Sequence, residues 1–265
     1  MYLKIQGLVL RRTEYNDHDV LLTILSKEHG KITAKARGLK RKNSPLTAQC
    51  QLLAFAEFTL FEYRGMYTIN EAATIELFHG LRNDLGKLSL GTYFAQAAEV
   101  ISQEDLPNPE LQSLVLNCLY ALSKLNEPEM KVKAAFELRL SCIAGFQPEL
   151  TGCASCGSQW PDRFDLKAGM VECAACRSPE SDGIRMPVPP AVLQAMRYIC
   201  FCGSRKIFAF RLPEEAMHQL ADVTEGYLIT QLERGFSTLD FYKSLLIENA
   251  RVGATFTVAR YSPSF

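Results

Sequence analysis

The chain has 265 residues, with hydrophobic residues at 48% and charged residues at 22%. That is the composition of a folded globular protein, and the length suits two or three modules better than one core. The 29 Lys and Arg balance 29 Asp and Glu, which excludes a uniformly basic nucleic-acid binder but not a local basic patch. No apolar run reaches the roughly 18 residues of a membrane span, and Met1 to Arg12 has neither an apolar h-region nor a small-residue cleavage site. The expected compartment is therefore the cytosol. There, nine cysteines point to metal ligation or buried thiols and not to disulfides.

Residues 1–77 read as strands. Leu3, Ile5 and Val9 share one period-2 register, with Gly7 between them. Val20 to Leu25 is a dense apolar run suited to a well-buried strand, and His29-Gly30 marks a hairpin turn. Lys31 to Arg37 alternates strictly, with Ile32, Ala34 and Ala36 on one side and Lys31, Thr33, Lys35 and Arg37 on the other. A turn-rich loop covers Gly38 to Pro45. Phe55 to Tyr63 and Met66 to Leu77 form two further strands joined at Arg64-Gly65. Five strands in about 80 residues predict a small closed barrel, with the OB-fold leading.

The pattern then changes to period 3.6. Leu90, Phe94, Ala97 and Ile101 form one helical stripe. Asn108-Pro109-Glu110 is a helix start, with Leu111, Val115, Cys118, Leu122 and Leu125 following at helical spacing. Pro128 opens a helix carrying Val132, Phe136, Leu140 and Ile143. Pro189-Pro190 and Pro213-Glu214-Glu215 open two more, and a shorter helix covers Thr238 to Leu246. The expected class is α+β and multidomain. The barrel occupies 1–80, a helical bundle 81–149 and 186–246, a zinc-ribbon-like insert 150–185, and a tail of weak structure 247–265, ending in Ser262-Pro263-Ser264.

The insert carries the most specific motif. Cys153, Cys156, Cys173 and Cys176 give C-x2-C-x16-C-x2-C, spacing that suits a structural zinc site. Each C-x2-C turn puts two thiolates on one side of a metal. Four thiolates leave no open position, so one structural Zn2+ per chain is expected and no catalytic metal. Cys50, Cys118, Cys142, Cys200 and Cys202 lie among apolar residues and are expected to be inert buried thiols.

The second signal is charge. Residues 1–80 hold 11 basic and 8 acidic side chains, and the stretch 31–42 holds six basic residues and no acid. Lys31, Lys35 and Arg37 on one strand face, then Lys40, Arg41 and Lys42 in a loop, are spaced to follow a phosphate backbone. Arg11 and Arg12 add a second basic pair. Six like charges without an acid would repel one another unless a polyanion visits, so these eight residues are the expected nucleic-acid contacts. Tyr15, Phe61, Tyr63 and Tyr67 lie in or beside the same module, where one or two can stack on bases. No GxxxxGK[ST] loop, dinucleotide fingerprint or HExxH is present, and His18, His29, His79 and His218 lack ligand spacing, so no enzymatic activity is expected.

These residues resemble a family. Gly7-Leu-Val-Leu, Asp17-His-Asp19 before an apolar strand, Glu28-His-Gly-Lys31 and Ala36-Arg37-Gly38, with Phe136-Glu-Leu-Arg-Leu140 and Gly145-Phe146 before the insert, resemble the bacterial recombination-repair mediator family RecO. The resemblance covers nearly the whole chain to about residue 246. It implies a protein of the RecF pathway that binds single- and double-stranded DNA and anneals complementary strands without ATP. It also implies work with RecR, and in some cases RecF, to load RecA onto DNA coated by the single-strand binding protein SSB. It places the site for the acidic SSB C-terminal tail near the start of the helix before the insert, where Lys131, Lys133 and Arg139 stand here. Two competing readings are a zinc-containing RNA-binding OB-fold protein and a protein-scaffolding adaptor whose basic strand is merely solvated.

Overall fold

The computed structural model describes residues 1–176 and 183–259, with side chains described as far as Glu248. Part of the predicted insert and the Ser262-Pro263-Ser264 end of the tail lie outside these residues. Five strands come first: β1 (Tyr2–Glu14), β2 (Val20–Ser26), β3 (Gly30–Ala36), β4 (Phe55–Tyr63) and β5 (Met66–Glu76). They close into a barrel in the order β1-β2-β3-β5-β4. Closure comes from a short parallel pairing of β3 with β5, at Ala34 with Tyr67 and Lys35 with Thr68, while the other pairings are antiparallel. This is the five-stranded barrel expected of an OB-fold. Ile5, Val9, Leu22, Ile24, Ile32, Phe58, Leu60 and Ile69 fill its interior.

The helices are α1 (His79–Arg82), α2 (Leu85–Ile101), α3 (Pro109–Tyr120), α4 (Glu129–Ile143), α5 (Pro190–Phe201), α6 (Glu214–Leu232) and α7 (Ser237–Ala259). Asn108 caps α3 by accepting the Leu111 N–H at 3.0 Å, and Pro109 occupies the first turn, where no amide hydrogen is needed. Two expectations need correction. The stripe through Leu111, Val115, Cys118 and Leu122 does not extend to Leu125, which is exposed because Ala121–Leu125 is a π turn that shifts the phase. The helix expected to stop at Leu246 runs to Ala259, since 247–259 contains no proline to end it.

Barrel and bundle share a core. Leu8, Leu10 and Leu25 point out of the barrel and pack with Phe94, Leu111 and Val115, whereas Val9 and Ile24 point into it. That is why β1 is buried continuously from Gly7 to Leu10 instead of alternating. The Gln112 amide fixes the junction by donating to Gln6 O at 3.2 Å and Leu25 O at 2.9 Å. The insert is a three-stranded sheet of β6 (Arg163–Asp165), β7 (Met170–Glu172) and β8 (Arg185–Pro187), ordered β7-β6-β8. Phe164 anchors it to α6, its ring centroid 5.0 Å from that of Tyr227. Among the described residues, no helix is long and apolar enough to cross a membrane.

Candidate metal centre and nucleic-acid interface

The four cysteines of the insert converge. Cys153 and Cys156 precede β6, and Cys173 and Cys176 follow β7, so the hairpin brings the two turns together. All four sulfurs lie within 4.8 Å of one another, and Cys156 Sγ is 3.7 Å from Cys173 Sγ. A tetrahedron of Zn–S bonds of about 2.3 Å separates its sulfurs by about 3.8 Å, so the donor set fits zinc. The backbone supports it. Gly157 takes φ +73° and donates its N–H to Cys153 O at 2.8 Å, closing the first turn. The Cys173 N–H donates to Cys153 Sγ at 3.4 Å. The amides of Cys156, Cys173 and Ser155 hold the Cys153 thiol down at about 6, whereas hydrogen bonds with Cys156 and Cys173 push Cys176 up to about 12. Four thiols this close cannot all ionise without a cation among them.

The basic residues divide differently from their order in sequence. Acids from other segments reach the cations that the stretch 31–42 presents alone. Lys35 Nζ lies 2.9 Å from Asp19 Oδ2. Lys40 Nζ lies 3.1 Å from Glu14 Oε2 and donates to Asn16 O at 3.2 Å. Arg11 pairs with Glu99 at 2.9 Å, and Lys31 Nζ donates to Glu99 O at 3.5 Å. The expectation of an acid-free basic run therefore holds in sequence and not in space. Arg12, Arg37, Arg41 and Lys42 are exposed and have no ion pair among the described residues.

Arg11, Arg12, Lys31 and Lys40 come together on a cleft of about 1110 Å³ between the barrel and α2. Glu14, Glu99, Thr92, Gln96 and Thr238 share its wall, and so does Arg234, from the turn between α6 and α7. Five cations thus face two carboxylates. Arg234 is the contribution that sequence reasoning missed, for no local signal ties a turn after residue 232 to β1. Lys35, Arg37, Arg41 and Lys42 do not line this cleft. Among the aromatic residues, Tyr15 is exposed beneath Lys35, whose Nζ sits 4.7 Å from the ring centroid. Phe61 is partly exposed and packs on Tyr2 at 5.3 Å, Tyr63 is exposed, and Tyr67 is half-buried against the barrel core.

The three cations of α4 separate as well. Lys133 is 6% exposed and lies between Glu137 Oε1 at 2.9 Å and Glu225 Oε2 at 2.8 Å. It faces the bundle interior, where an external carboxylate does not reach it. Lys131 pairs with Glu127 at 2.9 Å. Arg139 donates to Cys202 O at 2.5 Å and borders a pocket of about 290 Å³ lined also by Leu114, Ile143 and Ile207.

Comparison with known proteins agrees with this architecture. Residues 1–78 match the family model described as Recombination protein O N terminal, and residues 82–240 match Recombination protein O C terminal. A DNA repair protein RecO of Acetivibrio thermocellus is 34% identical over 247 residues, covering 92% of this chain and 97% of that one. That of Alkaliphilus metalliredigens is 31% identical, covering 92% and 100%. That of Bacillus subtilis is 28% identical, covering 94% and 99%. With a five-stranded barrel docked on a helical bundle, a four-cysteine insert and both halves matched, the chain belongs to the RecO family of recombination proteins.

Proposed function

We propose that this protein serves DNA repair and recombination by holding DNA strands along the cleft between barrel and bundle and annealing complementary strands without nucleotide hydrolysis. The observation that carries the reading is the convergence of Arg11, Arg12, Lys31, Lys40 and Arg234 on one cleft. Cations from both modules on one wall lower the phosphate repulsion that opposes pairing, and release of condensed counterions drives binding. The role calls for no nucleophile or general base. Arg37, Arg41 and Lys42 extend the basic surface beyond the cleft, and Tyr15 offers a ring for a base.

One structural zinc on Cys153, Cys156, Cys173 and Cys176 shapes the insert. The pocket beside Arg139 is the proposed seat of the SSB tail, with the guanidinium meeting a carboxylate and Leu114, Ile143 and Ile207 receiving an apolar side chain. Lys133 is left out of that site because it is buried. Cooperation with RecR and RecF and the loading of RecA onto SSB-coated DNA rest on family membership.

The test is annealing of SSB-coated complementary oligonucleotides without nucleotide, beside binding of single-stranded DNA and RNA of one sequence across a salt series. Annealing that fails in Arg12→Ala/Arg234→Ala supports the reading. Preference for RNA, or no binding at moderate salt, returns the RNA-binding or adaptor readings.

A further inference from the structure

Five cysteines lie outside the metal centre, and burial silences two of them. Desolvation pushes Cys50 up to about 12 and raises Cys118, which is fully buried, well above the thiol range. Cys142 and Cys200 differ from these. Cys142 is the penultimate residue of α4 and Cys200 the penultimate residue of α5, 58 positions apart in sequence. Their sulfurs lie 3.7 Å apart. As whole residues, Cys142 is half-buried and Cys200 is buried. Arg139 lies one turn before Cys142 on the same helix and also contacts Cys202 Sγ at 3.5 Å. The pocket lined by Arg139, Ile143 and Cys202 opens beside the pair.

We propose that Cys142 and Cys200 form an oxidation-sensitive dithiol site at which hydrogen peroxide, or a similar two-electron oxidant, joins the ends of α4 and α5 through a disulfide.

Two steps balance the reaction. The Cys142 thiolate attacks one peroxide oxygen, the O–O bond breaks and an S–O bond forms; the leaving hydroxide takes a proton and departs as water. Cys142 is then a sulfenic acid, oxidised by two electrons. Cys200 sulfur next attacks Cys142 sulfur. The S–S bond forms, the S–O bond breaks, and the hydroxide leaves as water with the proton from Cys200. In sum, two thiols and one peroxide give one disulfide and two waters.

The surroundings favour these roles. Cys142 Sγ donates to Cys200 Sγ, and this contact together with the charge of the Arg139 guanidinium holds Cys142 below the ordinary thiol range despite burial. The same hydrogen bond, together with burial, pushes Cys200 up and keeps it protonated. Cys142 is thus the nucleophile and Cys200 resolves it. A disulfide needs the sulfurs at about 2.05 Å. Both residues sit in the last turn of their helices, where carbonyls lack following partners and the backbone yields most easily. This inference does not depend on the nucleic-acid reading.

The test uses the full zinc-containing chain. It is treated with hydrogen peroxide, blocked with iodoacetamide, digested and mapped by mass spectrometry, and zinc is measured in the same sample. A Cys142–Cys200 linked peptide is expected while Cys50 and Cys118 stay reduced. Before oxidation, iodoacetamide should label Cys142 faster than Cys118 by about tenfold or more, reflecting the larger thiolate fraction. Cys200→Ser should accumulate a dimedone-trapped sulfenic acid at Cys142. A linked peptide restricted to the four metal-centre cysteines, a Cys200–Cys202 link alone, or labelling of Cys142 no faster than Cys118 overturns the proposal. The wild-type mapping decides the matter even where a serine variant folds poorly.

Discussion

Asp19 holds Lys35 at 2.9 Å with one carboxylate oxygen and accepts the Gly38 N–H at 2.8 Å with the other. One side chain thus ties the turn before β2 to the end of β3 and to the first residues of the basic loop. Gly38 takes φ +65°, a conformation that aims its amide at Asp19. The Gly38 amide first, then Lys35 and Asn16, hold the Asp19 carboxyl far below its ordinary value of 3.8. A depressed carboxylate stabilises the fold fully above its unfolded value. That stability is lost as pH falls from there toward the native value. Asp19→Asn should therefore lower stability at neutral pH, with the gap from wild type closing below about pH 4. Urea unfolding at pH 7 and pH 3 measures both. An equal gap at the two pH values would sink the account.

Lys133 makes the opposite case, a cation whose role is internal. It neutralises Glu137, which is 0% exposed and raised by desolvation, and it joins α4 to α6 through Glu225. Tyr93 and Thr224 hydroxyls also donate to Glu137 at 3.0 Å, so α2 enters the same network. Lys133→Ala leaves the buried Glu137 without its cation, while Glu225 keeps Lys243 at 2.6 Å. Removing one partner of a buried pair costs about 3–5 kcal/mol, and chemical denaturation should show a loss of that order. Arg139→Ala, at the rim of the neighbouring pocket, should instead weaken an SSB-tail peptide in a titration while moving the unfolding midpoint much less.

The barrel was legible because its strands alternate and its turns carry glycine. Residues buried on both faces, Leu8 and Leu10 beside Val9, break that alternation, and only the docked helices explain them. The four cysteines were legible because ligand spacing is local. The basic surface was legible by composition and not by arrangement. Asp19, Glu14 and Glu99 approach their cations across strands or from α2, and Arg234 arrives from a turn 222 residues beyond Arg12. Lys133 carried a local warning: an acid four residues later, with Ala134, Ala135 and Phe136 between, marks an ion pair on a buried face. Cys142 and Cys200 gave no such warning, since only the packing of α4 on α5 brings them together.

The metal centre predicts a separation of effects. Binding of zinc by such a site supplies folding energy, about 10–16 kcal/mol in small zinc peptides at neutral pH. Cys153→Ser or Cys176→Ser should lose the metal and expose amides of β6 and β7 to hydrogen exchange. The barrel, whose core shares no residue with the insert, should exchange as in wild type. Well under one zinc per purified chain, in protein never exposed to chelator, would remove the metal from the account.

The cleft predicts a measurable salt dependence. Each phosphate contact on a single strand adds roughly 0.7 to the slope of log affinity against log salt. Arg12 and Arg234 face the cleft without an ion pair among the described residues. Replacing both with alanine should flatten the slope by about 1.4 if each meets a phosphate. Arg37→Ala should flatten it by about 0.7 if the strand continues over the end of β3. Lys35→Ala should do less, because Asp19 already neutralises that charge, and its larger effect should be on stability. Binding should weaken alike for unrelated sequences, since cations on phosphates carry no base information. Annealing should fall in step with binding, as the cleft offers no other means of bringing two strands together. Should Arg12→Ala/Arg234→Ala keep both slope and annealing rate while Arg37→Ala loses them, the strand path lies over the barrel face and not through the cleft.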